Sequence, residues 1–192
     1  MDEWHTILIG VDGVGRTALA VQFAFDFFVT GYNSTLDACY RKQLVVDDAV
    51  CFVDVLDQAG EDITDASLRE QFIRRGQGFF LVYSVTSRSS FSRLEELWQW
   101  LQRIRGENTP FMLLGNKCDF GASDRAVSTE EGAALARQFG CPFLEVSAKT
   151  GMNVERAFSD LVRLLRQNRP DATAPQESSQ RKGKRKGKCI VF

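Results

Sequence analysis

The chain has no apolar run near the roughly 18–20 residues that a membrane-spanning helix requires. Its opening, MDEWHTILIG, begins acidic and reaches only a short apolar stretch, so no secretory leader is expected. There is also no C-x-x-C pair. The five cysteines, Cys39, Cys51, Cys118, Cys141 and Cys189, are odd in number and scattered, which argues against a disulfide framework or a zinc site and points to a reducing compartment. No internal repeat is visible. Acidic residues are missing from one conspicuous place, the octet RKGKRKGK at 181–188, which holds six of the 24 basic residues. The remainder carries 18 basic against 25 acidic residues, a net of −7, although the whole chain stands at −1. An acidic body therefore bears a basic tail.

What is present suits one globular domain: 192 residues, 44% hydrophobic and 26% charged, enough for a sizeable core. Apolar runs of strand length recur between segments of helical period: TILI (6–9), VCFVDVL (50–56), FFLVYSV (79–85), FMLLG (111–115) and FLEVS (143–147). Such runs read as strands buried on both faces, as in a parallel sheet. Leu94, Leu97, Trp98, Leu101 and Ile104 share one helical face, as do Phe158, Leu161, Val162 and Leu165, and both stripes are expected to be core. Ser128 and Glu131 form a capping box ahead of GAALARQF. CYRKQLVV and AVCFVDVL, joined at Asp47-Asp48, read as a hairpin that would put one antiparallel strand into the sheet. The expected fold is an α/β, three-layer domain over residues 1–168, with helices on both faces. From Arg169 the composition turns to Pro, Ala, Thr, Gln and Ser, then to the basic octet and CIVF, so 169–192 is expected to be a flexible tail.

Four short stretches carry chemistry, each after an apolar run. The first, GVDGVGRTAL (10–19), has the outline of a phosphate-binding loop, G-x-x-x-x-G-K-[ST], with an arginine in the lysine position. Gly10, Asp12, Gly13, Val14, Gly15, Arg16, Thr17 and Ala18 are its candidate contacts, with the amides of residues 13–17 presented to phosphate oxygens from a helix N-terminus. The second, NKCD (116–119), brings Asn116, Lys117 and Asp119. A carboxylate at Asp119 can accept from the N1–H and 2-amino group of guanine, a donor pair that adenine does not offer on that edge. The third, SAK, brings Ser147, Ala148 and Lys149. A backbone N–H there can meet the guanine O6, and Lys117 and Lys149 can lie over the ring. The fourth, DVLDQAG (54–60), supplies Asp57 for a water-mediated Mg2+ contact, with Ala59 and Gly60 where a γ-phosphate would be sensed. Any one of these could be an ordinary turn at a strand end; all four in this order are not.

On these residues the chain resembles the Ras family of small GTPases over roughly residues 4–168. The resemblance implies a P-loop NTPase-like domain with a mostly parallel six-stranded sheet and about five helices, GTP and GDP as ligands, and Mg2+ as cofactor. It also implies that Phe28 packs on the guanine edge with Val29 beside it, and that Thr17 and Thr35 join Asp57 at the metal. The segment Tyr32, Asn33, Ser34, Thr35, Leu36, Asp37, Ala38, Cys39 and Tyr40 corresponds to the effector region. Partners expected on this basis are effector proteins, an exchange factor and a GTPase-activating protein. No nucleic acid is expected.

Several positions depart from the family pattern. Arg16 replaces the loop lysine, keeping its charge but adding a planar fork. Asp12 replaces a glycine whose bare backbone leaves room for a partner's arginine. Glu61 stands for the glutamine that orients the attacking water, and Gln58 for a threonine. An ion pair of Arg16 with Asp12 or with Glu61 would rebuild a neutral site. Arg16, Thr35, Gly60 and Glu61 are thus the candidate catalytic residues, and slow hydrolysis is the expectation, with a hydrolysis-deficient GTP-binding module as the alternative. Asn33, Ser34 and Ala38 also thin the charge of the effector segment.

The ending CIVF fits C-a-a-X, with Cys189 as the prenylated thiol. The adjacent basic octet supplies the second signal that one lipid chain needs for stable attachment to an anionic membrane. The expected location is the cytoplasmic face of the plasma membrane. A K/R octet is also compatible with a nuclear-localisation or nucleic-acid patch.

Overall fold

Two strands are buried at every position: Gly78–Ser84 (β4) and Phe111–Asn116 (β5). Strands apolar on both faces must lie between two covering layers, and this dictates the architecture. The computed structural model describes residues 2–29, 38–57 and 66–169. It shows a six-stranded sheet in the order β2-β3-β1-β4-β5-β6. Here β1 is Asp2–Ile9, β2 Ala38–Val46, β3 Ala49–Asp57 and β6 Phe143–Glu145. All pairings are parallel except β2 with β3. The expected hairpin is present. Asp47 and Asp48 take φ of 51° and 60°, the double left-handed geometry of a tight two-residue turn whose twist matches its strands.

The helices are α1 (Arg16–Phe25), α2 (Ala66–Arg75), α3 (Arg88–Ser92), α4 (Leu94–Arg105), α5 (Thr129–Phe139) and α6 (Val154–Gln167). Arg93, between α3 and α4, keeps right-handed helical angles, so these two run on as one helical stretch, and the described residues hold five α-helical bodies beside a short 3-10 turn at Ala122–Asp124. One core cluster lies between the sheet and α1 with α6. Its centre is Phe158, stacked on Phe23 at 3.7 Å and edge-on to Phe80 at 4.8 Å. The second lies under α4 and α5, where Trp98 stacks on Phe139 at 4.7 Å. Both aromatic stripes are therefore core. The capping box on α5 forms in full, with Ser128 Oγ accepting from the Glu131 N–H at 3.2 Å and Glu131 Oε2 from the Ser128 N–H at 2.8 Å. Glu131 also pairs with Arg88 at 2.7 Å, and that guanidinium, with the Ser128 amide, lowers its pKa to about 2.

Two boundaries differ from expectation, and one contact was not foreseen. β1 reaches back to Asp2, because its first half is only half covered: Trp4 is in the core while Glu3 is exposed, so no continuous apolar run marks it. FLEVS pairs as a strand only over Phe143–Glu145; the Ser147 N–H turns away to the Met152 carbonyl at 3.0 Å. Arg169, expected to open the tail, packs on the body. Its guanidinium lies 4.7 Å over the Trp4 ring and bonds Asp2 Oδ1 at 3.0 Å, two residues after α6 ends at Gln167. The rest of the tail, with Cys189, lies outside the described residues.

The order of the sheet reverses between β1 and β4, and at such a switch point the loops beyond the carboxyl ends of neighbouring strands part to leave a crevice. That edge holds the candidate site.

Candidate functional site

The loop from β1 to α1 is shaped by where its backbone must go. A side chain at Gly10 would collide with the Val82 carbonyl oxygen of β4, so glycine lets β1 end against its neighbour. Gly15 takes φ of 92°, and a Cβ there would sit 2.5 Å from Asn116 Nδ2, which excludes any larger residue on two counts. Gly15 is also the N-cap of α1, and it provides no side-chain cap for the helix's first N–H groups. Those groups suit an anion.

Asn116 at the end of β5 ties three loops together. Its Nδ2 donates to the Val14 carbonyl at 2.8 Å, and its Oδ1 accepts from the Ala148 N–H at 3.1 Å, all within the buried interior. Lys117 follows in a left-handed conformation, φ 68°, and its Nζ donates to the Gly13 carbonyl at 2.7 Å. The ammonium is thereby pinned to the loop, with the aliphatic stem along the cleft. Ser147 Oγ donates to Asp119 Oδ1 at 2.6 Å and accepts from the Thr150 N–H at 3.1 Å. Asp119 is thus oriented from the SAK turn, and a carboxylate with two oxygens retains acceptor capacity for a further donor pair.

These elements enclose a cleft of about 650 Å³. Its lining includes Asp12, Gly13, Gly15, Arg16, Thr17 and Ala18 from the loop, and Phe28 and Val29 beyond α1. Asn116, Lys117, Asp119, Ala148 and Lys149 line the other wall. Gly10, Val14 and Ser147 do not line it. Gly10 and Val14 are buried and hold the loop in shape, and Ser147 acts through Asp119. Two lining residues escaped the sequence reading. Phe120, 43% exposed, follows directly on NKCD, and Val21 lies one helical turn beyond Thr17. The first could have been suspected as an unburied aromatic next to a motif, the second from helical period.

Arg16 Nη2 meets Asp12 Oδ1 at 3.0 Å, the first of the two ion pairs that the sequence allowed. Thr17 lies in the first turn of α1, and Asp57 is buried at the carboxyl end of β3. A hydroxyl and a carboxylate are hard oxygen donors of the kind Mg2+ takes, so these residues fit that ion. At the start of β2, Cys39 is exposed and the Tyr40 ring meets Phe25 edge-on at 6.1 Å. Tyr32, Asn33, Ser34, Thr35, Leu36, Asp37, Gln58, Ala59, Gly60 and Glu61 lie outside the described residues.

A cleft with a left-handed glycine loop at one end and an oriented carboxylate at the other matches the family pattern read from the sequence. The family model described as "Ras family" matches residues 5–167. The chain belongs to the Ras family. It is 44% identical to "Ras-like protein 1" of Pyricularia oryzae over 188 residues, covering 88% of this chain and 77% of that protein. It is 41% identical to "Ras-like protein" of Laccaria bicolor over 204 residues, covering 99% and 97%. To "Ras-like protein 1" of Saccharomyces cerevisiae it is 46% identical over 165 residues, covering 85% of this chain and 53% of that one. Ras-family members bind GTP and GDP and are GTP hydrolases.

Asn116→Ala should be costly, because it strands the Val14 carbonyl and the Ala148 N–H inside the protein, each worth about 1–3 kcal/mol. Thermal unfolding of nucleotide-free protein should show a fall of roughly 5–15 °C. A melting point unchanged within about 2 °C would contradict this reading of Asn116.

Proposed function

We propose that this Ras-family chain is a lipid-anchored GTP/GDP switch whose own hydrolysis is slow. The observation that carries the reading is the Asn116 tie, which sets the loop, NKCD and SAK around one cleft with the Asp119 carboxylate on its wall. Asp119 accepts from the guanine N1–H and 2-amino group, and the Ala148 region meets its O6. Lys117 and Lys149 flank the ring, and Phe28 packs at its edge. Gly13, Gly15, Arg16 and Thr17 hold the phosphates. Thr17, Thr35 and Asp57 would hold Mg2+, which when bound shields the phosphate charge.

The slow-hydrolysis reading rests on three side chains that depart from the family pattern, Asp12, Arg16 and Glu61. Glu61 can accept a hydrogen bond from water but cannot donate one to the phosphate. Asp12 occupies the space through which an activating partner's arginine would enter. In this family that arginine is worth roughly 10³–10⁵ in rate, or about 4–7 kcal/mol of barrier, a magnitude established for the family's GTPases and not for this chain. Arg16, paired with Asp12, presents a partly neutralised charge. The same pair supports a second reading, a GTP-binding interaction module that does not turn over.

The nucleotide carried by the purified protein separates these readings. A switch with slow turnover yields mixed GTP and GDP, and single-turnover hydrolysis should quicken in the double variant Asp12→Gly, Glu61→Gln. GTP alone, with no hydrolysis in either protein, identifies the module; adenine nucleotide or none contradicts both. Cys189 with the basic octet is the proposed anchor to an anionic membrane at the cytoplasmic face of the plasma membrane. Effectors, an exchange factor and an activating protein would engage the segment Tyr32–Tyr40 and its neighbours. Cys189→Ser should move the protein from the membrane to the soluble fraction; unchanged membrane association would refute the anchor.

A further inference from the structure

Arg16 occupies the first position of α1, at the positive end of the helix dipole, where a cation is disfavoured unless an anion stands close by. The first turn of α1 contains no acidic residue to supply one. The loop does: Asp12 Oδ1 lies 3.0 Å from Arg16 Nη2. The Arg16 side chain is only 16% exposed, so it has little water to fall back on, whereas Asp12 is 62% exposed and remains hydrated on its far side. Both residues line the cleft read above as the phosphate site. One cation therefore has two claimants, a carboxylate already in the chain and the phosphates of a nucleotide.

We propose that Asp12 is an internal counter-ion that competes with the nucleotide's phosphates for Arg16, so that this chain releases nucleotide faster than it would with a neutral residue at position 12. The proposal rests on the GTP/GDP reading of the cleft and concerns a different property, the lifetime of the bound nucleotide. With Asp12 paired to Arg16, the end of the cleft that receives two or three negative charges presents a neutral ion pair. When the nucleotide enters, Arg16 must share its donors, and the carboxylate is left beside phosphate oxygens of its own sign. When it leaves, Asp12 recovers its partner, which stabilises the empty site. Both effects favour release. Hydration of Asp12 limits their size: a pair this exposed modulates affinity and does not abolish it. Loss of the pair together with the carboxylate–phosphate repulsion corresponds to about a ten-fold change in release rate.

The test is the spontaneous release of a fluorescent GDP analogue, with Mg2+ present, from the full chain and from Asp12→Asn, Arg16→Gln and the double variant. Asp12→Gly serves as a second neutral replacement, with no added amide. Asp12→Asn and Asp12→Gly should each slow release by about ten-fold, while Asp12→Asn in the Arg16→Gln background should slow it by no more than about three-fold. Unchanged or faster release in both position-12 variants would overturn the proposal, since Asp12 would then position Arg16 and not compete for it. Equal slowing with and without Arg16 would also overturn it, because the carboxylate would be acting on the phosphates directly. Failure of all five proteins to bind the analogue would remove the GTP/GDP reading as well.

Discussion

The site depends on one side chain. Asn116 lies buried at the carboxyl end of β5, and its amide is used at both ends, donating to the loop that follows β1 and accepting from the turn that follows β6. Three segments spread over more than a hundred residues of chain are thereby held in one geometry. A buried amide with both ends satisfied specifies a unique arrangement, because any displacement strands a polar group out of reach of water. The surrounding packing depends on it in turn. Gly15 can be nothing larger because the Asn116 amide stands where its Cβ would be, and Lys117 is carried into a left-handed conformation that lets its ammonium reach Gly13.

On this frame the charges are rearranged relative to the family pattern. The part proposed to select a base keeps the family's residue types, with Asp119 oriented by Ser147. The end proposed to receive phosphate differs, since Arg16 is engaged by Asp12. The residues proposed to choose the base and those proposed to hold the phosphates thus come from different segments of the same cleft. On the proposed reading, that separation lets a chain keep the family's ligand while hydrolysis and release change.

Much of this was legible in the sequence, for definite reasons. The buried strands β4 and β5 announce themselves by being apolar at every position, and the Asp47-Asp48 turn and the Ser128–Glu131 box are local chemistry that tertiary contacts did not override. The first half of β1 was not legible, because a half-covered strand alternates and leaves no run. The contact of Arg169 with Trp4 was not legible either, because composition does not reveal a guanidinium stacked on a ring. At the site, the motifs located the contact segments, but the tasks of individual members needed coordinates. Gly10 and Val14 shape the loop from behind, Ser147 works through Asp119, and Phe120 and Val21 join the lining without belonging to any motif. The pairing of Arg16 was open between Asp12 and Glu61 on charge alone; among the described residues Arg16 meets Asp12, and Glu61 lies outside them.

The central claim is that the Asn116-organised cleft selects guanine through Asp119. Calorimetric titration of nucleotide-stripped protein with GDP and with ADP, in the presence of Mg2+, tests it most directly. GDP should bind at least about 100-fold more tightly than ADP, because adenine leaves the Asp119 carboxylate facing the base without a donor pair. Comparable affinities for the two, or binding of neither, would contradict the account.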